Sequence, residues 1–232
     1  MTYVGQFGIT TPMYRIYAIF LALFSIISLA VMLSPAPVGW QFAILVVLFH
    51  LGAASMAFVY KKRWPQLLNI WVFASLVSVF QVFPDWFLST VLGVLVFPED
   101  GFFKIGSVSA YMAGLWAIPF SIVLLAAIWA EERSKKRWLP GFVAAMVAFL
   151  LFAGSEATLW ALGSWYARDV HMVFHVALYV LLPETILGLH VWLGFQTTKE
   201  RSLAMRLIVA LHISVFYTGA LALSYLLMEK LT

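Results

Sequence analysis

The sequence predicts an all-α polytopic membrane protein: one bundle of seven transmembrane helices, N-terminus cytoplasmic and C-terminus extracytoplasmic. Three observations predict it. Hydrophobic residues make up 64% of the chain and charged residues only 10%, far outside the range of soluble domains. The apolar residues fall into seven runs, each long enough to cross a ~30 Å hydrocarbon core at ~1.5 Å per residue. All but Lys104, Arg168 and Lys230 of the 14 lysines and arginines fall on one side of a seven-span arrangement, which marks that side as cytoplasmic.

The runs are residues 14 to 33, 39 to 60, 65 to 83, 108 to 130, 139 to 162, 168 to 195 and 203 to 228. Pro35 and Pro37 separate the first two, and Pro65 and Pro140 stand near helix starts, where a missing amide hydrogen costs least. Trp40, Trp64, Trp86, Trp138, Trp165 and Trp192 fall near span ends, as interfacial aromatics do. Met1 to Met13 holds no long basic region and no small-residue cleavage site, so the first span is expected to be retained. Residues 1–232 therefore read as a single transmembrane domain. The longest connection, 84–107, is too apolar for a solvated loop and is punctuated by Pro84, Pro98, Gly101 and Gly106. It is expected to be a re-entrant or interfacial lid over the outer mouth of the bundle.

The chain has no cysteine, which excludes disulfides, thiolate metal sites and cysteine nucleophiles. Its basic residues sit in short loops and report topology rather than nucleic-acid binding. No phosphate-binding or dinucleotide motif is present, and the last span has no internal lysine to carry a retinal Schiff base.

Chemistry-bearing residues concentrate in the sixth run, with Asp169, His171, His175, Tyr179, Glu184 and His190. Ionisable groups within a span are expected to face protein or a cavity. Glu184, beside Pro183, lies about 16 residues into that run, roughly 24 Å along an ideal helix and past the midplane. Glu156, in GSEATLW, lies in the outer part of the fifth span. An ionised carboxylate in an apolar bundle is strongly disfavoured unless a cation pairs with it. A protonated one in a dry pocket donates a proton, as carbocation chemistry on an alkene or epoxide requires. Glu156 and Glu184 either serve in this way or hydrogen-bond neighbouring helices.

His171 and His175, at i and i+4, share a helix face and offer a metal two ligands, short of a complete site. His50 and His212 offer an axial pair for a haem. Hydrogen bonds between helices are the other reading of all four, and no cofactor or metal is the primary expectation. Tyr111, Trp116, Trp160, Tyr179 and Tyr217 are candidates to line a substrate site, because ring faces attract a cation; packing is the other reading.

The segment FPEDGFFKIGSVSAYMAGLW, residues 97–116, resembles the loop-to-helix entry of membrane-integral carotenoid enzymes. In small lycopene cyclase domains a proline and an acidic pair precede two phenylalanines and an apolar helix ending in Leu-Trp. Pro98, Glu99, Asp100, Phe102, Phe103, Leu115 and Trp116 match in type, with one residue rather than two between the acids and the phenylalanines. IGSVSAYMAGLWAIP is similar to part of bacterial carotenoid hydratases, and the size and seven-span pattern resemble fungal membrane-bound meroterpenoid cyclases. The resemblance implies that Glu99 or Asp100 belongs to a cyclase acid site, with Glu156 and Glu184 as supporting or alternative acids.

The expectation is an enzyme of isoprenoid metabolism in the bacterial inner membrane that cyclises or hydrates a long, lipid-soluble substrate by acid initiation. Its residues would be Glu184, Glu156, Glu99 and Asp100. The alternatives are a non-catalytic subunit holding a pigment, quinone or haem, and a proton-coupled transporter. No nucleic-acid partner is expected, and a homo-oligomer or a larger membrane complex is left open.

Overall fold

The computed structural model describes residues 10–231; the reading of the segment before Thr10 lies outside the described residues. Among them, seven helices are long and apolar enough to cross a membrane: α1 (Pro12–Met32), α2 (Val38–Val59), α3 (Pro65–Val91), α4 (Met112–Arg133), α5 (Leu139–Leu162), α6 (Leu178–Thr198) and α7 (Leu203–Lys230). The chain is an integral membrane bundle. Its centre is α6, of whose most apolar window 56% is buried, against 6% for the peripheral α1. The α6 helix packs on α5 and α7, α4 packs on α3 and α5, and α3 also meets α7.

Small residues set the closest approach. A side chain at Gly188 of α6 would strike the Ala148 side chain and come within 2.8 Å of the Ala144 carbonyl oxygen on α5, so α5 and α6 touch through a stripe of small residues, as helices in lipid commonly do. Pro183 lies inside α6, and a helical proline leaves the carbonyl four residues earlier without its amide donor. That carbonyl is Tyr179's, and Ser224 of α7 donates its hydroxyl to it at 2.6 Å. In hydrocarbon such a freed group has to find a partner within the protein.

One end of the bundle carries the basic connections. There Tyr14 donates to Glu132 at 2.8 Å, and Arg206 reaches Asn69 at 2.9 Å. The opposite end is capped by short two-stranded pieces: β1 (Leu95–Val96), β2 (Lys104–Ile105), β3 (Val108–Ser109), β4 (Tyr166–Ala167), β5 (Met172–Val173) and β6 (Val176–Ala177). The pairs are β1 with β4, β2 with β3 and β5 with β6, all antiparallel. The β1–β4 pair ties the α3–α4 connection to the α5–α6 connection.

Two boundaries differ from the sequence reading. The α3 helix runs on to Val91, with a break at Gln81 and a π-helical last turn, so the first part of the expected lid belongs to a span. Residues 168–177 are not helical: a bend at 169–170 leads into the β5–β6 hairpin, and α6 begins at Leu178. His171 and His175 therefore do not share a helix face. Their apolar neighbours Met172, Val173 and Val176 prolong the hydrophobic run but pair as strands. Glu184 consequently lies near the start of α6 and not past its midplane.

Gly188→Leu is expected to lower stability by about 1–3 kcal/mol through overpacking. Gly154→Ala, at a position where an added Cβ meets nothing within 4 Å, is expected to be neutral or slightly stabilising. Thermal unfolding of both variants in detergent checks the pair.

Candidate functional site

The corrected helix starts place three acids at one depth. Asp85, Glu156 and Glu184 each lie six residues from the capped end of their span, at Val91, Leu162 and Leu178 respectively. At the α-helical rise this is about 9 Å below the helix ends. All three line a cavity of about 280 Å³. Its walls are otherwise apolar and aromatic apart from Ser155, including Phe42, Phe97, Trp116, Phe152, Tyr179 and Tyr217, and among the described residues no lysine, arginine or histidine lines it. The carboxylates are near enough for their charges to interact, Glu184 with Glu156 and Asp85, and Asp85 with Glu156.

The three differ in their partners. Trp116 donates its indole N–H to Asp85 Oδ2 at 3.1 Å, and Trp165 donates to Glu156 Oε1 at 3.3 Å. Glu184 is 95% buried, at 5% exposure, and its Oε2 has no hydrogen-bond partner. A buried polar atom without a partner is costly, and this one belongs to a residue lining an open cavity. The site is thus a largely apolar, aromatic chamber holding two carboxylates with indole donors and a third without.

Asp85 is the member that sequence reasoning missed. Pro84 and Trp86 around it suggested the start of a connection at a membrane interface. The signal that points to it is the uninterrupted apolar run on either side, FQVFPDWFLSTV.

The other candidates lie elsewhere. Glu99 is exposed and pairs with Lys104 at 2.8 Å. Asp100 is buried and structural: Oδ1 accepts from the Phe102 amide at 3.0 Å, Oδ2 accepts from Ser109 at 2.6 Å, and its carbonyl oxygen accepts from the Gly39 amide at 2.8 Å. It clamps the α3–α4 connection to the start of α2, where any side chain at position 39 would collide with it. Phe97 is the part of 97–103 that borders the cavity. Tyr111 stacks on Phe42 and does not line the chamber; burial, with the Asp100 carboxylate nearby, holds its phenol above the ordinary range. Trp160 stacks on His175 at 3.8 Å beside a second, smaller pocket.

The histidines are dispersed. In His50 both ring nitrogens are engaged, Nε2 with the Gly114 carbonyl at 3.1 Å and Nδ1 with the Trp71 indole at 3.2 Å. His212 is exposed on α7, near enough to His190 on α6 for their charges to interact. His171 Nδ1 meets Glu229 at 2.8 Å. Among the described residues, no group of three or more histidines and carboxylates is gathered closely enough to hold a metal ion.

Fold and site together define a seven-span membrane bundle built around a buried carboxylate chamber. The chain belongs to the family described as a domain of unknown function, DUF6989, which matches residues 82–228. That stretch contains all three cavity acids and leaves out α1 and α2. No curated protein and no solved structure matches the chain.

Asp100→Ala is expected to release the α3–α4 connection, seen as faster proteolysis around Gly101 to Gly106, with a loss of about 1–3 kcal/mol for the donors left unpaired. Glu99→Ala, at an exposed ion pair, is expected to leave proteolysis unchanged.

Proposed function

We propose that the chamber is the acid site of an enzyme that protonates a carbon–carbon double bond or an epoxide at the end of a long isoprenoid-like lipid. The observation that carries the reading is the chamber itself: three carboxylates, no basic group and aromatic walls, with Glu184 buried and lacking a donor. An indole N–H suits a carboxylate acceptor, so Asp85 and Glu156 have partners for their charged forms. Glu184 has none and is the group assigned to carry the transferable proton.

In the proposed step the Glu184 O–H bond breaks as a C–H bond forms from the π pair of an alkene, or as an O–H bond forms on an epoxide oxygen and one C–O bond of the ring opens; either leaves a carbocation. The faces of Trp116, Tyr179 and Tyr217 stabilise it by their quadrupoles. Attack by a second double bond followed by loss of a proton to a carboxylate gives a cyclised product. Capture of water, whose surplus proton returns to a carboxylate, gives an alcohol. Either way the proton balance of the site is restored.

Volume supports an end group as the part of the substrate that is bound. At ~30 Å³ per water, a cavity of about 280 Å³ holds roughly nine water-sized groups, enough for a branched or cyclising end group and not for a whole carotenoid-length chain. The reading therefore leaves the tail in lipid. It enters between α4 and α5, where the cavity-lining Ile118, Pro119, Ile122, Leu151 and Ser155 keep partial exposure. With the basic end cytoplasmic, the chamber lies in the extracytoplasmic half of the membrane.

The test uses purified protein in lipid, supplied with acyclic isoprenoid olefins and their terminal epoxides in D₂O. Turnover to cyclised or hydrated product is expected, the olefin-derived product carrying solvent deuterium at the protonated carbon. Glu184→Gln should lower the rate by about 10²-fold or more, as loss of a general acid does, and Glu184→Asp should restore part of it. A native rate in Glu184→Gln would remove the assignment of the proton to Glu184, and native rates in both Glu184→Gln and Glu156→Gln would remove the acid chemistry from the chamber.

A further inference from the structure

Beside the chamber lies the second pocket, of about 120 Å³, and the two share Glu156, Trp165 and Ala167 as a common wall. At ~30 Å³ each, it has room for roughly four waters. Its other lining residues, Trp160, Tyr166, Met172 and His175, are all exposed, and the last three lie between α5 and α6, outside the membrane spans. The pocket therefore runs from the surface of the capped end to Glu156.

Its rim is built with unusual backbone. Phe174 and His175 form the two-residue turn between β5 and β6, with φ of 50° and 66°. Such turns favour Asn and Gly because both central residues need positive φ, and a bulky residue there is strained. The strained turn holds the His175 ring against Trp160, at the mouth of the pocket. Strain of this kind is held in place by the surrounding structure and concentrates at functional positions.

We propose that this pocket is the aqueous inlet of the site: water enters past His175 and Trp160 as far as Glu156, and Glu156 relays protons to the chamber, while the apolar substrate enters from the side. The inference rests on the proton-donor reading of Glu184 and adds the source of its proton. A hydronium ion gives its proton to the Glu156 carboxylate, one O–H bond breaking and one forming. Glu156 then reprotonates a vacated carboxylate in the chamber, and the proton that the substrate returns to another carboxylate leaves by the same steps in reverse, so that no proton accumulates and no other bond changes. The groups facing Glu156 are few. Trp165 donates to it, His175 and Tyr166 share its pocket, and Asp85, Glu184 and Tyr179 face it across the chamber.

Because the chain contains no cysteine, single cysteines can be labelled against no background. Met172→Cys and Tyr166→Cys are placed on the rim, and Leu151→Cys in the lateral opening serves as control. Each is treated in lipid with a bulky charged thiosulfonate, Leu151→Cys also with an apolar maleimide. The readout is hydrogen–deuterium exchange of the carboxyl infrared band that Glu184→Gln removes. Labelling either rim cysteine is expected to slow the exchange by an order of magnitude, and labelling Leu151→Cys to leave it unchanged. Undiminished exchange after rim labelling, failure of both rim cysteines to react, the absence of a band lost in Glu184→Gln, or exchange in Glu156→Gln as fast as in the unsubstituted chain overturns the proposal. Exchange is read without substrate, so slowed exchange in a protein that turns over no olefin would uphold the inlet and remove the chemistry.

Discussion

Three carboxylates held at one level of a membrane bundle, with no basic side chain facing them, set the constraint to which the rest of the structure answers. Hydrocarbon offers no water to solvate such groups, and unpaired charge there is among the most expensive things a helix can carry. The bundle meets the cost by enclosing the acids in a chamber and by aiming two indole donors at two of them. Both tryptophans also belong to the walls, so the residues that exclude water are the ones that satisfy the carboxylates. The third acid is left to the chamber, and its unpartnered oxygen is the least satisfied polar atom of the site.

The scaffold around the chamber follows the same rule of internal satisfaction. Pro183 sits immediately before Glu184 and would leave the Tyr179 carbonyl bare; Ser224 covers it. Tyr179 is thereby tied to α7 through its backbone while its side chain lines the cavity. At the capped end, Asp100 spends every oxygen it has on the α3–α4 connection and on α2. Adjacent acids in the sequence thus do different work: Glu99 is a solvated partner of Lys104, and Asp100 is a clamp that keeps Phe97 over the chamber.

The spans were legible because hydropathy over about 20 residues measures the property that a bilayer selects. Glu156 and Glu184 were legible for the complementary reason, as charges where none should be. What hydropathy cannot see is whether an apolar segment is helical. Met172, Val173 and Val176 are as apolar as the helix that follows them, yet they pair across a turn, and treating them as helix displaced Glu184 by most of the membrane's half-thickness. The same blindness cut α3 short and put Asp85 in a loop. Both errors are of helix boundary, and correcting them brings the three acids to one depth. Tertiary pairing decides both, and sequence periodicity carries no record of it.

The likeness of residues 97–116 to carotenoid enzymes drew attention to Glu99 and Asp100, whereas the geometry favours acids on three separate helices. The two lines meet in Phe97 and Trp116, which bracket the resembling segment, line the chamber and, in Trp116, hold Asp85. A segment that contributes a wall and a donor, but not the acid, can keep its aromatic pattern while its acidic residues serve the loop. On that view the segment's place in the mechanism is to shape the chamber and fix Asp85. In the step we propose, that leaves the reactive proton to Glu184, the carboxyl group with neither an indole donor nor a basic partner to hold it in its ionised form.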